Sequence, residues 1–237
     1  MELGVPLNAS QIAMFVKYLS ALQTWNKKIN LTSIKDPEEI CVKHFLDSLT
    51  CVKTINLYKN VQLNKKNTIS IIDIGTGAGF PGIPLKIALP SLKLTLLDSH
   101  RKKIEFLKEL VNDLNIKEVE IIKNRAEIIG QDKNFRSSFN IVISRAVAPL
   151  SILSEYSLPL VKKNGWFIAQ KGKEYEDELN NGSKAIELLG GLLIKIETIC
   201  LPFLNQERNI LIIKKIKDTP DKYPRRNGIP RKRPLNN

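Results

Sequence analysis

The chain has 237 residues and is 43% hydrophobic, enough for one α/β domain with a sizeable core and an appendage. No apolar run approaches the roughly 20 residues that span a bilayer, and Met1–Ser10 has neither the basic nor the apolar region of a secretory leader. The net charge is +13, from 37 Lys and Arg against 24 Asp and Glu; coding bias alone could give such a lysine-rich chain, but a polyanion partner is the other reading.

In chain order, residues 10 to 29 carry Ile12, Phe15, Leu19, Leu22, Trp25 and Ile29 at steps of three and four, which predicts an amphipathic helix. Asp36-Pro-Glu-Glu39 opens a second helix, expected from Pro37 to Thr54, with a capping acid, proline in the first turn and acids on the helix dipole. Lys59 to Asn67 reads as a polar linker. Thr68 to Ile74 is an apolar run and a buried strand. Helix is expected over Ile83–Leu89, strand over Leu92–Leu97, helix over Arg101–Asn115 and strand over Val119–Ile122. A short helical turn at Ala126–Gly130 precedes a strand at Asn140–Ser144. A helix over Pro149–Val161 is closed by Lys162-Lys-Asn-Gly165, and Trp166–Gln170 is the fifth strand. A helix over Glu174–Leu189, with a break point at Asn180-Asn-Gly182, leads to two final strands, Leu192–Leu201 and Arg208–Lys214. Seven strands alternating with helices and closing in a hairpin predict a doubly wound α/β sheet, mostly parallel with an antiparallel last strand. The chain divides into an N-terminal helical cap and linker (1–66), a sheet domain (67–216) and a basic tail (217–237). Cys41, Cys51 and Cys200 have no metal-ligand spacing and cannot all pair, and only His44 and His100 accompany them. No metal is expected, and reduced thiols suit a cytoplasmic protein.

The stretch from Ile71 to Gly82, Ile-Ile-Asp-Ile-Gly-Thr-Gly-Ala-Gly-Phe-Pro-Gly, joins the first strand to the helix after it. Gly77, Gly79 and Gly82 match the dinucleotide fingerprint, but that pattern needs its first glycine at the strand end, and Gly75 intervenes. Asp73 followed by Gly75, Gly77 and Gly79 resembles motif I of the S-adenosylmethionine-dependent methyltransferases. There the turn hugs an amino-acid tail carrying a sulfonium, and an acid near that cation fits. No Gly-Lys-Ser/Thr follows, which excludes a Walker loop. Asp98 ends the second strand, where an acid accepts hydrogen bonds from ribose hydroxyls; it could also cap the next helix. Asn124-Arg-Ala-Glu127 follows the third strand, where methyltransferases meet the adenine ring, although Glu127 could equally start a helix. Phe80 is either a plug in the core or a cover over the cofactor.

The tip of the fourth strand is Ser144-Arg-Ala-Val-Ala-Pro149. Amino-group methyltransferases place Asp/Asn-Pro-Pro-Phe/Tyr there, and carbon-5 pyrimidine enzymes need a cysteine nearby. With neither present, the acceptor atom should need no covalent activation and no clamp on an amine. Together with the glycine turn, Asn124-Arg-Ala-Glu127 and Ser144-Arg-Ala146, the chain carries His44-Phe-Leu-Asp-Ser48, Gln170-Lys-Gly172 and Tyr223-Pro-Arg-Arg-Asn-Gly-Ile-Pro-Arg-Lys-Arg-Pro234. These motifs span nearly the whole sequence, and they resemble the bacterial small-subunit ribosomal RNA guanine-N7 methyltransferases, the family also called glucose-inhibited division protein B.

The resemblance implies a Rossmann-like class I methyltransferase that uses S-adenosyl-L-methionine on N7 of a guanine in the 530 loop of 16S ribosomal RNA. The acceptor is the RNA, the small subunit or an assembly intermediate, and a monomer without membrane or metal is expected. By motif, cofactor contacts carry over to Gly75, Phe80, Ala126, Glu127 and Arg145, with Asp73, Gly77, Gly79 and Asp98 added from the fold pattern. Arg145, His44, Asp47 and Lys171 are candidates for the guanine pocket or for RNA contact. His44 and Asp47 share a helix face, and a hydrogen bond fixing the cap to the sheet is the plainer reading of that pair. Lys171 either meets phosphate or is simply solvated.

Guanine N7 has an in-plane lone pair, so no general base is predicted. Arginine often reads guanine through O6 and N7, so Arg145 should leave N7 free. Residues 214 to 237 hold nine basic and two acidic residues, half the net charge in a tenth of the chain. With prolines between them, Arg225, Arg226, Arg231, Lys232 and Arg233 are expected on an extended arm that tracks phosphates. Loss of residues 222–237 is then expected to weaken RNA binding and leave cofactor binding intact. A methyltransferase with a protein or small-molecule acceptor, a non-catalytic assembly protein and a nicotinamide oxidoreductase are the alternatives. The basic tail, the glycine turn with Asp98, and the glycine register argue against them in turn.

Overall fold

A computed structural model describes residues 3–62, 68–201, 203 and 206–236. Helix α1 (Ala9–Asn26) opens with a capping box in which Asn8 and Gln11 satisfy each other's backbone N–H groups. Its buried face is centred on Tyr18 and Leu22, while Ile12 is 52% exposed. The expected apolar stripe is therefore rotated by about one residue, because Tyr18 reaches down to donate its hydroxyl hydrogen to the Ala78 carbonyl.

The second predicted helix is a composite. α2 (Pro37–Ile40) runs into a π-helical turn, Cys41–Leu46, then α3 (Asp47–Leu49) and, after a turn, α4 (Val52–Gln62). Asp36 caps it as expected, accepting from the Glu39 N–H at 2.8 Å. Because α4 extends to Gln62, the first part of the expected linker is helical; residues 63–67 lie outside the described residues.

The sheet holds β1 (Ser70–Ile74), β2 (Lys93–Asp98), β3 (Val119–Lys123), β4 (Phe139–Arg145), β5 (Val161–Lys171), β6 (Gly191–Leu201) and β7 (Gln206–Lys215), in the order β3-β2-β1-β4-β5-β7-β6. The first five strands are parallel, and β7 runs antiparallel to both β5 and β6. Strand order reverses between β1 and β4, which opens a crevice beyond their carboxyl ends.

Alternate residues face opposite sides of the sheet. Ile71, Ile141 and Ile212 join α1 and the cap, α5 (Gly82–Ala88) and α6 (Arg101–Asp113) in one core. Ile72, Val142 and Ile213 join α7 (Ala126–Ile129), α8 (Leu150–Ser157) and α9 (Glu176–Leu188) in the other.

Two local expectations are corrected. Lys162–Gly165 does not close a helix but lies inside β5, where the register shifts between Phe139 and Ile141 and Asn164 takes a φ of +66°. Helix α9 is not broken at Asn180–Gly182. Gly182 is buried, and a Cβ there would come within 3.0 Å of the Ser151 nitrogen, so the glycine lets α9 pack onto the start of α8.

The basic tail is not an extended arm. Tyr223 is buried in the second core, and α10 (Ile229–Lys232) follows it. Arg136 donates to the carbonyls of Tyr223 and Thr219, both at 2.7 Å. The Arg225 side chain is paired at 2.6 Å with Glu155, whose side chain is fully buried.

Candidate active site

The glycine turn is held from below and from the side. The Gly75 and Thr76 N–H groups donate to the Leu97 carbonyl at 2.8 and 3.1 Å, tying the turn to the end of β2. Asp73 Oδ2 accepts from Thr76 Oγ1 at 2.6 Å and from the Gly82 N–H at 2.9 Å. Burial pushes the Asp73 carboxyl up to about 6, against the hydrogen bonds that favour its charge. Asp73 thus sits under the turn as a staple, and it does not line the groove above it.

The three glycines serve different purposes. All have positive φ: +66° at Gly75, +61° at Gly77 and +99° at Gly79. A Cβ on Gly79 would lie 2.7 Å from the Tyr18 hydroxyl oxygen, and one on Gly75 would lie 2.6 Å from Val147 Cγ2. A Cβ on Gly77 would meet only the Gly75 carbonyl oxygen and Lys103 Nζ, at 3.9 and 4.0 Å, which is ordinary contact. Of the three, Gly77 alone is not crowded by a neighbour.

Beside it lies a groove of about 220 Å³ over the ends of β1 to β4, walled by Gly75, Asp98, Ala126, Glu127, Val147 and Tyr156 among others. Asp98 is 6% exposed. It accepts from the Gly77 N–H at 3.0 Å with one oxygen, and from the His100 N–H and ring at 2.8 and 2.9 Å with the other. It joins the turn to the start of α6 and still faces the groove. Glu127 is 5% exposed and accepts from the Gly228 N–H of the tail at 3.1 Å.

These features fit S-adenosylmethionine. The turn at Gly75 and Gly77 suits the amino-acid portion, the Asp98 carboxylate suits ribose hydroxyls, and the backbone and acid of Ala126 and Glu127 suit a purine. Among the described residues no group of three or more His, Cys, Asp or Glu could hold a metal ion.

The other expected residues form a second cluster, between the cap and the sheet. Phe80 is 6% exposed and stacked between Tyr18 and His44, with ring centroids 5.4 and 4.7 Å away. The Arg145 guanidinium carbon lies 5.1 Å from the centre of the same ring. Arg145 Nη1 donates to Asp47 Oδ2 at 2.7 Å and to the Lys43 carbonyl at 3.2 Å, and Nη2 donates to His44 Nδ1 at 3.2 Å. His44 Nε2 lies 2.7 Å from Thr32 Oγ1. Burial first, and the Arg145 charge second, push the His44 imidazole down to about 4.

Asp47 is the hub of that cluster. It is 3% exposed, and besides Arg145 it accepts from Arg208 Nε at 2.7 Å and Gln170 Nε2 at 3.0 Å. The Asp47 carboxylate thus fixes the cap to β4, β5 and β7, and only the backbone N–H of Asp47 bonds to His44, at its carbonyl. The sequence marks Gln170 and Arg208 as strand ends, Gln170 also within a motif, but no local pattern links either to Asp47. Lys171, a candidate for phosphate, is instead an internal tie: its ammonium is paired with Glu178 and donates to the Ala148 carbonyl at 2.9 Å, and its side chain is 9% exposed.

Residues 11–211 match the GidB family model, described as rRNA small subunit methyltransferase G. The chain belongs to this family. A ribosomal RNA small subunit methyltransferase G from Desulforamulus reducens is 47% identical over 99% of this chain and 94% of its own length. One from Oceanobacillus iheyensis is 49% identical over 99% and 95%. Among solved structures, a SAM-dependent methyltransferase from Aquifex aeolicus has a TM-score of 0.54 at 16% identity, over 82% of this chain and 98% of its own. A MtNAS mutant in complex with S-adenosylmethionine has a TM-score of 0.56 at 14% identity, over 87% and 78%. At those identities the likeness is one of fold, the Rossmann-like methyltransferase sheet that family membership also requires. The family match ends at residue 211, before the tail that walls part of the groove.

Proposed function

We propose that the chain transfers the methyl group of S-adenosylmethionine to N7 of a guanine in the 530 loop of 16S ribosomal RNA. The glycine turn tied to Asp98 at the edge of the groove carries the cofactor half of this reading, and the family supports the acceptor half. When bound, the cofactor supplies an electrophilic methyl group. The residues expected to hold it are Gly75, Gly77, Asp98, Ala126 and Glu127.

Methylation at N7 forms a nitrogen–carbon bond with a lone pair already in the ring plane, and the electrons of the breaking carbon–sulfur bond return to sulfur. No proton leaves, so the chain's work is to position the base and exclude water. Positioning of this kind can contribute on the order of 7–11 kcal/mol. Arg145 is suited to it because Asp47, Lys43 and His44 already engage its donors. It presents a flat cation at Phe80 and does not compete for N7. Duplex N7 lies in the narrow major groove of RNA, so the target guanine is single-stranded or splayed out.

Labelled S-adenosylmethionine, incubated with this protein and small subunits from cells lacking the enzyme, should label N7 of one guanine in the 530 loop. Free 16S RNA and partial particles, assayed in parallel, identify the acceptor state. Label elsewhere, or none on any of the three despite cofactor binding, would overturn the reading. The same reading has the chain acting as a cytoplasmic monomer, which light scattering in the presence and absence of RNA tests.

A further inference from the structure

The tail is built into the cofactor groove. From Thr219 onward the chain crosses the face of α7 and α8. Gln131 donates to the Asp221 and Pro224 carbonyls at 3.0 and 2.9 Å. A Cβ on Gly130 would lie 2.7 Å from the Pro224 ring, so glycine admits the crossing chain. The Arg225 N–H and guanidinium both engage Glu155. Beyond this anchor, Gly228 donates to Glu127, and Arg231 forms part of the groove wall. Tyr156 lies in the same wall as Glu127 and Arg231. Burial first, then the Glu127 charge, pushes its hydroxyl up, and the Arg231 cation pulls it down.

We propose that Arg231 is a cofactor-contacting residue, which with Glu127 recognises the adenine edge of S-adenosylmethionine. This rests on the methyltransferase reading above. The 6-amino group of adenine is a donor, and the neighbouring ring nitrogen is an acceptor. Glu127 offers an acceptor, and Arg231 offers donors only. The two line the same groove together with Tyr156, and the Gly228 N–H bonded to Glu127 brings the tail that carries Arg231 to the acid. Hypoxanthine reverses the edge, with a carbonyl oxygen at position 6 and N–H at the adjacent nitrogen. Such a base sets oxygen against carboxylate and N–H against guanidinium. The cost falls mainly on Glu127, which is 5% exposed and is left facing an acceptor.

The test is calorimetric titration of the full chain with S-adenosylhomocysteine and with its deaminated counterpart, S-inosylhomocysteine. Arg231→Leu should weaken binding of the adenosyl compound roughly ten- to hundredfold, the effect of losing a charged hydrogen-bond donor. It should also narrow the adenosyl-to-inosyl ratio, and Arg231→Lys should recover part of both. Arg231 is exposed, so the variants should melt as the parent does, and melting curves on the same samples check this. Unchanged affinity and an unchanged ratio in Arg231→Leu would overturn the proposal while leaving the methyltransferase reading intact. Failure of the parent chain to bind either compound would overturn both.

Discussion

Gly77 and Gly79 are two residues apart with similar backbone requirements, yet a methyl group means something different at each. At either position a side chain in the left-handed region costs roughly 1–2 kcal/mol. At Gly79 the new carbon also collides with Tyr18 and Ile83, at 2.7 and 2.8 Å. At Gly77 it only touches the Gly75 carbonyl and Lys103, both of them residues of the groove wall. Gly77→Ala should therefore fold, with a modest loss of stability, and bind S-adenosylmethionine about tenfold or more weakly. Gly79→Ala should lose most of its stability, with cofactor affinity falling only because the native fraction falls. Chemical denaturation and calorimetric titration of both variants separate the two outcomes. The sequence shows three glycines at alternate positions and so identifies the turn. It does not show which glycine faces a ligand, because Tyr18, which occupies the space at Gly79 and bonds to Ala78, lies 60 residues before Ala78 in the chain. Asp73 illustrates the same limit: its place at a strand end suggests a ligand contact, but its partners turn out to be Thr76 and Gly82 beneath the turn.

At the scale of elements, the junction of the π-helical turn with β4 is sensitive to acid. His44 has an ordinary value of 6.5 and is held near 4 in the folded chain. Below pH 6.5 the unfolded chain takes up a proton that the native chain refuses. Stability therefore falls as pH drops from about 6.5 to 4, by up to roughly 3 kcal/mol from this group. Urea unfolding of the parent and of His44→Gln between pH 7 and 4 should show a smaller loss in the variant; parallel curves would contradict it. Periodicity located the cap helices because apolar spacing is a local property. It could not foresee the Asp47 junction, whose partners Gln170 and Arg208 lie 123 and 161 residues further along the chain. Prolines in the tail suggested an extended arm, but the tail's packing is set by Arg136, Gln131 and Glu155, which are distant in sequence.

For the whole molecule, the sheet was readable strand by strand, since alternation and glycine or proline punctuation mark each one. The docking of the tail changes how its charge can act. Of the five tail cations expected on phosphate, Arg225 is paired with Glu155 and Arg231 lines the cofactor groove. Arg226, Lys232 and Arg233 remain exposed. Replacing these three with Gln should reduce the slope of log affinity for single-stranded RNA against log salt by about 2, at roughly 0.7 per phosphate. Arg225→Gln should leave the slope unchanged. A filter-binding series over salt reads both. Removing residues 222–237 would take away the buried Tyr223 and the Arg231 wall together. The expectation that cofactor binding survives that truncation is thus reversed.

The order of the last strands has a consequence for how the chain reaches its final form. Among the described residues β6 pairs with β7 alone, although it precedes β7 in sequence. As the polypeptide is made, Gly191–Leu201 emerges with no edge to join, because the place beside β5 belongs to a strand not yet synthesised. The hairpin must form first and then dock through its later arm. Until then the 11 residues of β6 are an unclaimed strand, the kind of surface on which one nascent chain can capture another.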